Sequence, residues 1–227
     1  MRGRRRRRHP VLSRAGLAGE MAHEKSGVAI LWGLTGIDMQ SSSGVALVIG
    51  GARGVGADVA RGLAACGYAV AIHCHASLRE ARALAAELTL AELSPAGKGG
   101  LALTANLREE GAVRVLVHRV ADQFGRIDVV VACARLRRPG QLEELAGADL
   151  MGHYEVNVVG TFVVAQEAAA VMLQQKEGGV IIALADGGEP RPGELPYAAS
   201  QAAIPALMRS LDTECKARNP RVRAACL

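Results

Sequence analysis

Residues 45–56 read VALVIGGARGVG, and this stretch decides the fold. Five apolar residues, Val45 to Ile49, run into a turn that carries Gly50, Gly54 and Gly56. A small-residue amphipathic stretch, Ala57 to Ala65, runs out of it. A strand, a glycine-dense turn and a helix start are the parts of a phosphate cradle. Glycine lets the backbone come close to a diphosphate, and the unpaired N–H groups of a helix N-terminus face its charge. The spacing is G-x-x-x-G-x-G rather than G-x-G-x-x-G. A glycine turn alone decides little, because tight turns use glycine for positive φ in any case. The flanking pattern is what favours the cradle.

Outward from this turn the chain alternates between two periods. Helix is expected to about Cys66, with Gly67 ending it, and strand over Ala69 to Cys74. Leu78, Ala81, Leu84, Ala85 and Leu88 recur at helical spacing, with Arg79, Glu80, Arg82 and Glu87 on the other face. A loop over Ser94 to Gly100 leads to a strand over Leu101 to Thr104. Val113, Leu116, Val117, Val120 and Phe124 mark an amphipathic helix, and Ile127 to Cys133 a strand. A long helix is expected from about Ala148 to Gln174 and a strand over Val180 to Ala185. Pro196 opens a helix to about Ala217, in which Pro205 should cause a kink costing roughly 3 kcal/mol if uncompensated. Val222 to Leu227 begins a sixth strand. Strands alternating with helices predict an α/β domain, a doubly wound parallel sheet of Rossmann type with right-handed crossovers. Ligands of such sheets bind at the carboxyl ends of the strands.

Composition agrees. The 227 residues suit one domain, half of them are apolar, and only 3% are aromatic. The core must therefore be rich in Ala, Val and Leu, as where helices pack closely on a buried sheet. The net charge of +5 is misleading. The first fourteen residues hold seven arginines and no acid, and without them 20 basic side chains face 22 acidic ones. No basic face for nucleic acid is expected outside that leader. The five cysteines include no C-x-x-C pair and sit in apolar segments, which suits buried thiols better than disulfides or a metal site. No stretch is read as a membrane span of about 20 apolar residues.

Residues 1–43 are expected to be a disordered, Arg-rich leader, with the domain over 44–227. Arg2 and Arg4 to Arg8 repel one another and favour solvation. An Arg-rich, acid-poor start is compatible with an organelle transit peptide, with binding to RNA or an acidic surface, or with an upstream extension that has no fold, the reading favoured here. Without transit, a cytoplasmic location is expected. His23, Glu24 and Lys25 separate the Arg block from the next apolar patch, which argues against a secretory signal.

Four stretches in order resemble the short-chain dehydrogenase/reductase (SDR) family: the glycine turn, FGRIDVVV over 124–131, NVVGT over 157–161 and YAASQAA over 197–203. The resemblance implies a nicotinamide cofactor, a small carbonyl substrate and a homodimer or tetramer. It also implies a tyrosine, here Tyr197, that gives a proton to the substrate oxygen. In the family a lysine four residues on holds the nicotinamide ribose and makes the phenol more acidic. A serine or Asp orients the substrate, and an asparagine holds a water of the proton relay. Carried over, the catalytic set is Tyr197, Asn157, Asp186 and Gln201, the last standing where the family has lysine. Gln201 brings no charge, and losing tuned acid–base chemistry can cost on the order of 10²–10⁴ in rate. Asp186 with the Arg191–Pro192 approach to Tyr197, GGAR, and the H-x-H-x-S of 73–77 are similar to pteridine reductases. Asp186 also suits a plain turn before Gly187 and Gly188.

For the cofactor, the expected set is Gly50, Arg53, Gly54, Val55, Gly56, His75, Ser77, Asn106 and Leu107. The second strand ends without the acid that holds a ribose 2′-hydroxyl in NAD sites. Arg53 can instead pair with a 2′-phosphate, with His75 and Ser77 nearby, which favours NADP(H). The competing reading makes Ser77 the N-cap of the next helix. Further departures from the family pattern are Ile49 for its Thr, and Ala132, Cys133, Ala134 and Arg135 for its N-N-A-G. Cys133 reads as a buried filler rather than a nucleophile. The resemblance also implies a Pro-Gly turn, a lid and a seventh strand past Leu227, so the domain is expected to be incomplete at its C-terminus. Two functions therefore compete: an NADP(H)-dependent reductase of a carbonyl or pterin-type substrate with impaired activity, and a non-catalytic nucleotide-binding or dimerising subunit. No metal is expected.

Overall fold

The computed structural model describes residues 44–89 and 100–227. The expected leader, and most of the expected loop before Gly100, lie outside the described residues. Strand β1 (Val45–Ile49) leads through the glycine turn to α1 (Gly54–Ala65). There follow β2 (Ala69–Cys74), α2 (Leu78–Thr89), β3 (Leu101–Thr104), α3 (Glu110–Phe124) and β4 (Val129–Ala132). After a long loop come α4 (Gly147–Tyr154), one π-helical turn (Glu155–Val159) and α5 (Gly160–Gln174). The described chain closes with β5 (Gly179–Ala183), α6 (Leu195–Arg218) and β6 (Val222–Cys226).

All five strand pairings are parallel, in the order β3-β2-β1-β4-β5-β6. The expected doubly wound sheet is therefore present, with its switch point between β1 and β4. Every residue of β1, β2 and β4 is buried, as continuous Val, Ile and Ala runs require when helices cover both faces. Two apolar clusters result, one on each side of the sheet, around Leu47, Val117 and Met172 and around Val48, Leu63 and Ile72. Helix α1 comes close to the sheet because its buried face is Gly56, Ala57, Val59, Ala60, Leu63 and Ala64, mostly small. Register decides where the site falls. Ile49 pairs with both His73 and Ala132, so β1, β2 and β4 end at one level and their exits meet.

Asp128 shows what FGRID does for the fold. Its carboxylate accepts the Val45 N–H at 2.7 Å and a forked pair of bonds from Arg126, fixing the start of β1. At the other edge Asp212 of α6 accepts from Arg223 and from the Ala224 N–H, binding the helix to β6.

Three expectations need correction. The long helix is interrupted by the π turn, one residue per turn too wide for the 3.6 period. Helix α6 begins one residue earlier than expected, at Leu195, with Pro196 in its first turn, and runs through Pro205 to Arg218. Among the described residues one run, Gly147–Gln174, is long and apolar enough to cross a bilayer by length and composition. It serves this fold instead as a core element: Val163, Val164, Ala168 and Met172 are buried in the cluster that α3 also supplies.

Candidate active site

The glycine turn is built by contact as well as by dihedral freedom. Gly50 has φ +74°, and a Cβ there would lie 2.8 Å from the backbone of Ala134, in the exit of β4. A Cβ on Gly56 would lie 2.2 Å from the Gly50 carbonyl oxygen. Gly54 has φ +55° and open space where its side chain would be. Arg53 is the N-cap residue of α1, with extended backbone and no side-chain cap bond, so the first N–H groups of the helix keep their capacity to face an anion. Val55 is 52% exposed beside them.

The turn is tied to β2 by a residue that the sequence reading passed over. Gly50 N–H donates to His73 Nδ1 at 3.2 Å, and His73 Nε2 lies 3.1 Å from the Ala105 carbonyl. These partners fix the neutral tautomer with its proton on Nε2. Burial pushes the imidazole below its usual range, against the Ala105 bond, which raises it. His75, two residues on, is exposed at the mouth of a cleft of about 260 Å³. Gly50, Asn106, Leu107, Arg108, Arg135 and Arg138 also line it. Asn106 is partly engaged, donating to Glu109 at 2.9 Å and accepting the Arg108 N–H at 3.2 Å. Ser77 precedes α2 and its carbonyl accepts the Ala81 N–H, which is the N-cap position. Burial pushes the Cys74 thiol at the end of β2 up, against the Ser77 backbone bond, which lowers it, with Glu80 raising it and Arg53 lowering it by less.

Tyr197 is 2% exposed. Its hydroxyl lies 3.2 Å from Asp186 Oδ2 and accepts from Arg135 Nη1 at 3.3 Å. The Arg137 guanidinium stands over the ring at 5.3 Å from its centroid and is held by Glu194, with Nε donating at 2.9 Å. Asp186 uses its two oxygens separately. Oδ1 accepts the Gly188 N–H at 3.2 Å in a turn, and Oδ2 receives the phenol. The Gly188 N–H, the Tyr197 hydroxyl and the charges of Arg135 and Arg191 hold this carboxyl below the usual carboxylate range. It is therefore an anion and an acceptor near neutrality. Gln201 is buried on the next turn of α6, and its Oε1 accepts the Asp186 N–H at 3.0 Å. It holds the exit of β5 in place.

Asn157 lies in the π turn and is 1% exposed. Its Oδ1 accepts the Leu136 N–H at 2.6 Å, and its Nδ2 donates to the Leu136 carbonyl at 2.9 Å and to Ser200 Oγ at 2.8 Å. Ser200 in turn donates to the Tyr197 carbonyl at 2.7 Å. Ser200 was not among the expected residues, although the serine of the Y-x-x-S pattern carried the signal. Arg135 was missed too, because it read only as a loss from N-N-A-G. The Cys133 thiol is enclosed in apolar surroundings that push it up to about 12, which suits a filler and not a nucleophile.

The fold and the site together define a class: a Rossmann sheet with a glycine turn at the switch point and a buried tyrosine beside it. A family model described as short chain dehydrogenase matches residues 44–227. A 3-oxoacyl-[acyl-carrier-protein] reductase FabG of Staphylococcus aureus is 31% identical over 180 residues, covering 79% of this chain and 71% of the relative. A subunit of a (2S)-[(R)-hydroxy(phenyl)methyl]succinyl-CoA dehydrogenase of Thauera aromatica is also 31% identical, covering 75% of this chain and 66% of its own. Among solved structures, a short chain dehydrogenase from Burkholderia cenocepacia in complex with NADP superposes with TM-score 0.73 at 32% identity, over 83% of this chain and 74% of that one. An alcohol dehydrogenase from Thermococcus sibiricus complexed with 5-hydroxy-NADP gives TM-score 0.69 at 28% identity, over 80% of this chain and 73% of that one. The chain belongs to the short-chain dehydrogenase family.

Proposed function

We propose that this chain is an NADP(H)-dependent reductase of a carbonyl compound, with Tyr197 as its proton donor. The observation that carries the reading is the Tyr197 hydroxyl, held between Asp186 and Arg135, of which Arg135 also lines the cleft that starts at Gly50. The residues present fit the cofactor. Among the described residues the cleft wall holds Arg108, Arg135 and Arg138 and no carboxylate, which suits phosphate groups. Gly54 leaves open space at the turn, where a diphosphate needs it. Arg53, His75 and Ser77 lie toward the end of β2 and would meet a 2′-phosphate. When bound, NADPH supplies a hydride to the carbonyl carbon. Tyr197 gives its hydroxyl proton to the carbonyl oxygen, and Asp186 and Arg135 fix the direction of that hydroxyl. Asn157 holds the loop that carries Arg135. A slow reaction is part of the reading, because Gln201 brings no charge to the turn after Tyr197.

A larger cavity of about 1030 Å³ lies beside the first turn of α6, lined by Pro139, Gly140, Leu142, Leu145, Pro192 and Leu195 among others. Its walls suit the apolar part of a carbonyl or pterin-type substrate. A second reading is a non-catalytic nucleotide-binding or dimerising subunit. It is favoured by Gln201 and by Met151, Val159 and Phe162, exposed apolar side chains of the 147–174 run that suit pairing between copies. The test is a titration of the purified chain with NADPH, followed by nicotinamide fluorescence, and then turnover of an acetoacetyl thioester. A fluorescence change with turnover supports the reductase. A fluorescence change without turnover supports the second reading, and none at millimolar NADPH or NADH overturns every nucleotide-binding form of both, leaving only a pairing subunit, which sedimentation would read.

A further inference from the structure

The turn of α6 after Tyr197 carries no charge, since Gln201 is neutral and its oxygen is taken by the Asp186 N–H. The phenol nevertheless has an anion at 3.2 Å, the Asp186 carboxylate. A phenolate formed there would face a like charge, which is costly in a buried place. A cation at the same oxygen is therefore needed if Tyr197 is to release a proton.

Two guanidiniums reach Tyr197, both from the exit of β4. Arg137 lies over the ring, not at the oxygen, and its charge is paired with Glu194. Arg135 Nη1 lies 3.3 Å from the phenol oxygen, and among the described residues no carboxylate forms an ion pair with it. Its backbone is fixed on both sides. Ala134 before it is wedged against Gly50, and Leu136 after it is clamped through both N–H and C=O by Asn157. Arg135 is itself exposed, and on this fixed backbone its bond to the Tyr197 oxygen places its charge at the phenol.

We propose that Arg135 supplies the positive charge of this active site, as a positioning residue acting through Tyr197. It stabilises the phenolate left when the phenol proton passes to the substrate oxygen. The inference rests on the reductase reading above. The step balances: the Tyr197 O–H bond breaks, an O–H bond forms on the substrate, and the negative charge left on Tyr197 stands between Arg135 and Asp186. Arg191 and Arg137 add positive charge further out, and Glu194 offsets Arg137.

The test uses the full chain, NADPH and an acetoacetyl thioester. Arg135→Met should lower kcat about a hundredfold, the scale for losing one donor at a developing negative charge. NADPH affinity should fall far less than kcat, since Arg108 and Arg138 remain on the cleft wall and the proposed role concerns Tyr197. Arg135→Lys should keep most of the rate, and Gln201→Lys placed in the Arg135→Met chain should restore at least about tenfold. A packing role would give no such rescue. An unchanged kcat overturns the proposal, as does a loss confined to NADPH affinity or a loss that neither lysine restores. If the unaltered chain binds NADPH but turns nothing over, the reductase reading fails by itself. The role of Arg135 is then read from phenolate absorbance in the near ultraviolet, with Tyr197→Phe as the blank. The phenolate signal should begin at lower pH in the unaltered chain than in Arg135→Met, and an equal onset overturns it.

Discussion

The amide of Asn157 closes both backbone groups of Leu136, at 2.6 Å to its N–H and 2.9 Å to its carbonyl. One side chain on the π turn thereby holds the loop that leaves β4. In the family pattern Asn157 is expected to hold a water of the proton relay. Here its side-chain oxygen and amide nitrogen are both engaged by protein groups, and they hold Leu136, which lines the cleft.

Removing that clamp should loosen the site. Asn157→Ala leaves the Leu136 groups and Ser200 without their partner, at about 1–3 kcal/mol per buried group left unsatisfied. Thermal unfolding should show a clear fall in Tm. Hydrogen exchange at Leu136 should speed up while the amides of β1 and β2 stay protected.

The glycine turn should tolerate no side chain where it folds on itself. Gly56→Ala puts a methyl 2.2 Å from the Gly50 carbonyl, and Gly50→Ala adds strain at φ +74° to a clash with Ala134. Both variants should lose NADPH affinity by about tenfold or more, on the order of 1.4 kcal/mol. Gly54→Ala meets no protein atom, so its cost comes from φ +55° and from any bound phosphate. It should therefore impair NADPH binding more than it lowers Tm.

His73 makes stability fall as pH drops. Burial lowers its pKa in the folded chain below the unfolded value of about 6.5. Below that value the unfolded chain takes up a proton that the folded chain resists, so stability rises with pH in this window. The contribution is complete above about 6.5 and is lost as pH falls toward the folded value. Tm measured at pH 7.5 and 5.5 should show the drop, and His73→Gln should lessen it while weakening the tie to Gly50.

The thiols should differ in reactivity. Cys133, pushed up to about 12 by burial, should resist iodoacetamide at neutral pH, because the thiolate is the attacking form. Cys66 is exposed and should be labelled first, as peptide mass mapping would read.

Much of this fold was legible because its rules are local. Ala69 to Cys74 was recoverable to the residue, since a fully buried parallel strand is a bare apolar run between turns. The π turn was not, because one extra residue leaves the 3.6 pattern of the neighbouring helices intact. Of the two histidines near the end of β2, the exposed one drew notice as a ligand, and the buried one holds the turn. Only the register of β1 with β2 shows that His73 stands beside Ile49, next to Gly50. Arg135 was visible only as a departure from a pattern. Its effect depends on a loop meeting a helix 62 positions away, and no periodicity records that.

The two oxygens of Asp186 have separate tasks, one in the turn and one at the phenol. A serine in that position offers a single oxygen on a shorter side chain, where Gly188 and Tyr197 are now each met by an oxygen of their own. A descendant of this chain that regained the family's serine would have to redesign the bend after β5 in the same stroke. The acid at 186 is thus a local commitment, which ties the shape of a surface bend to the chemistry of the phenol beneath it.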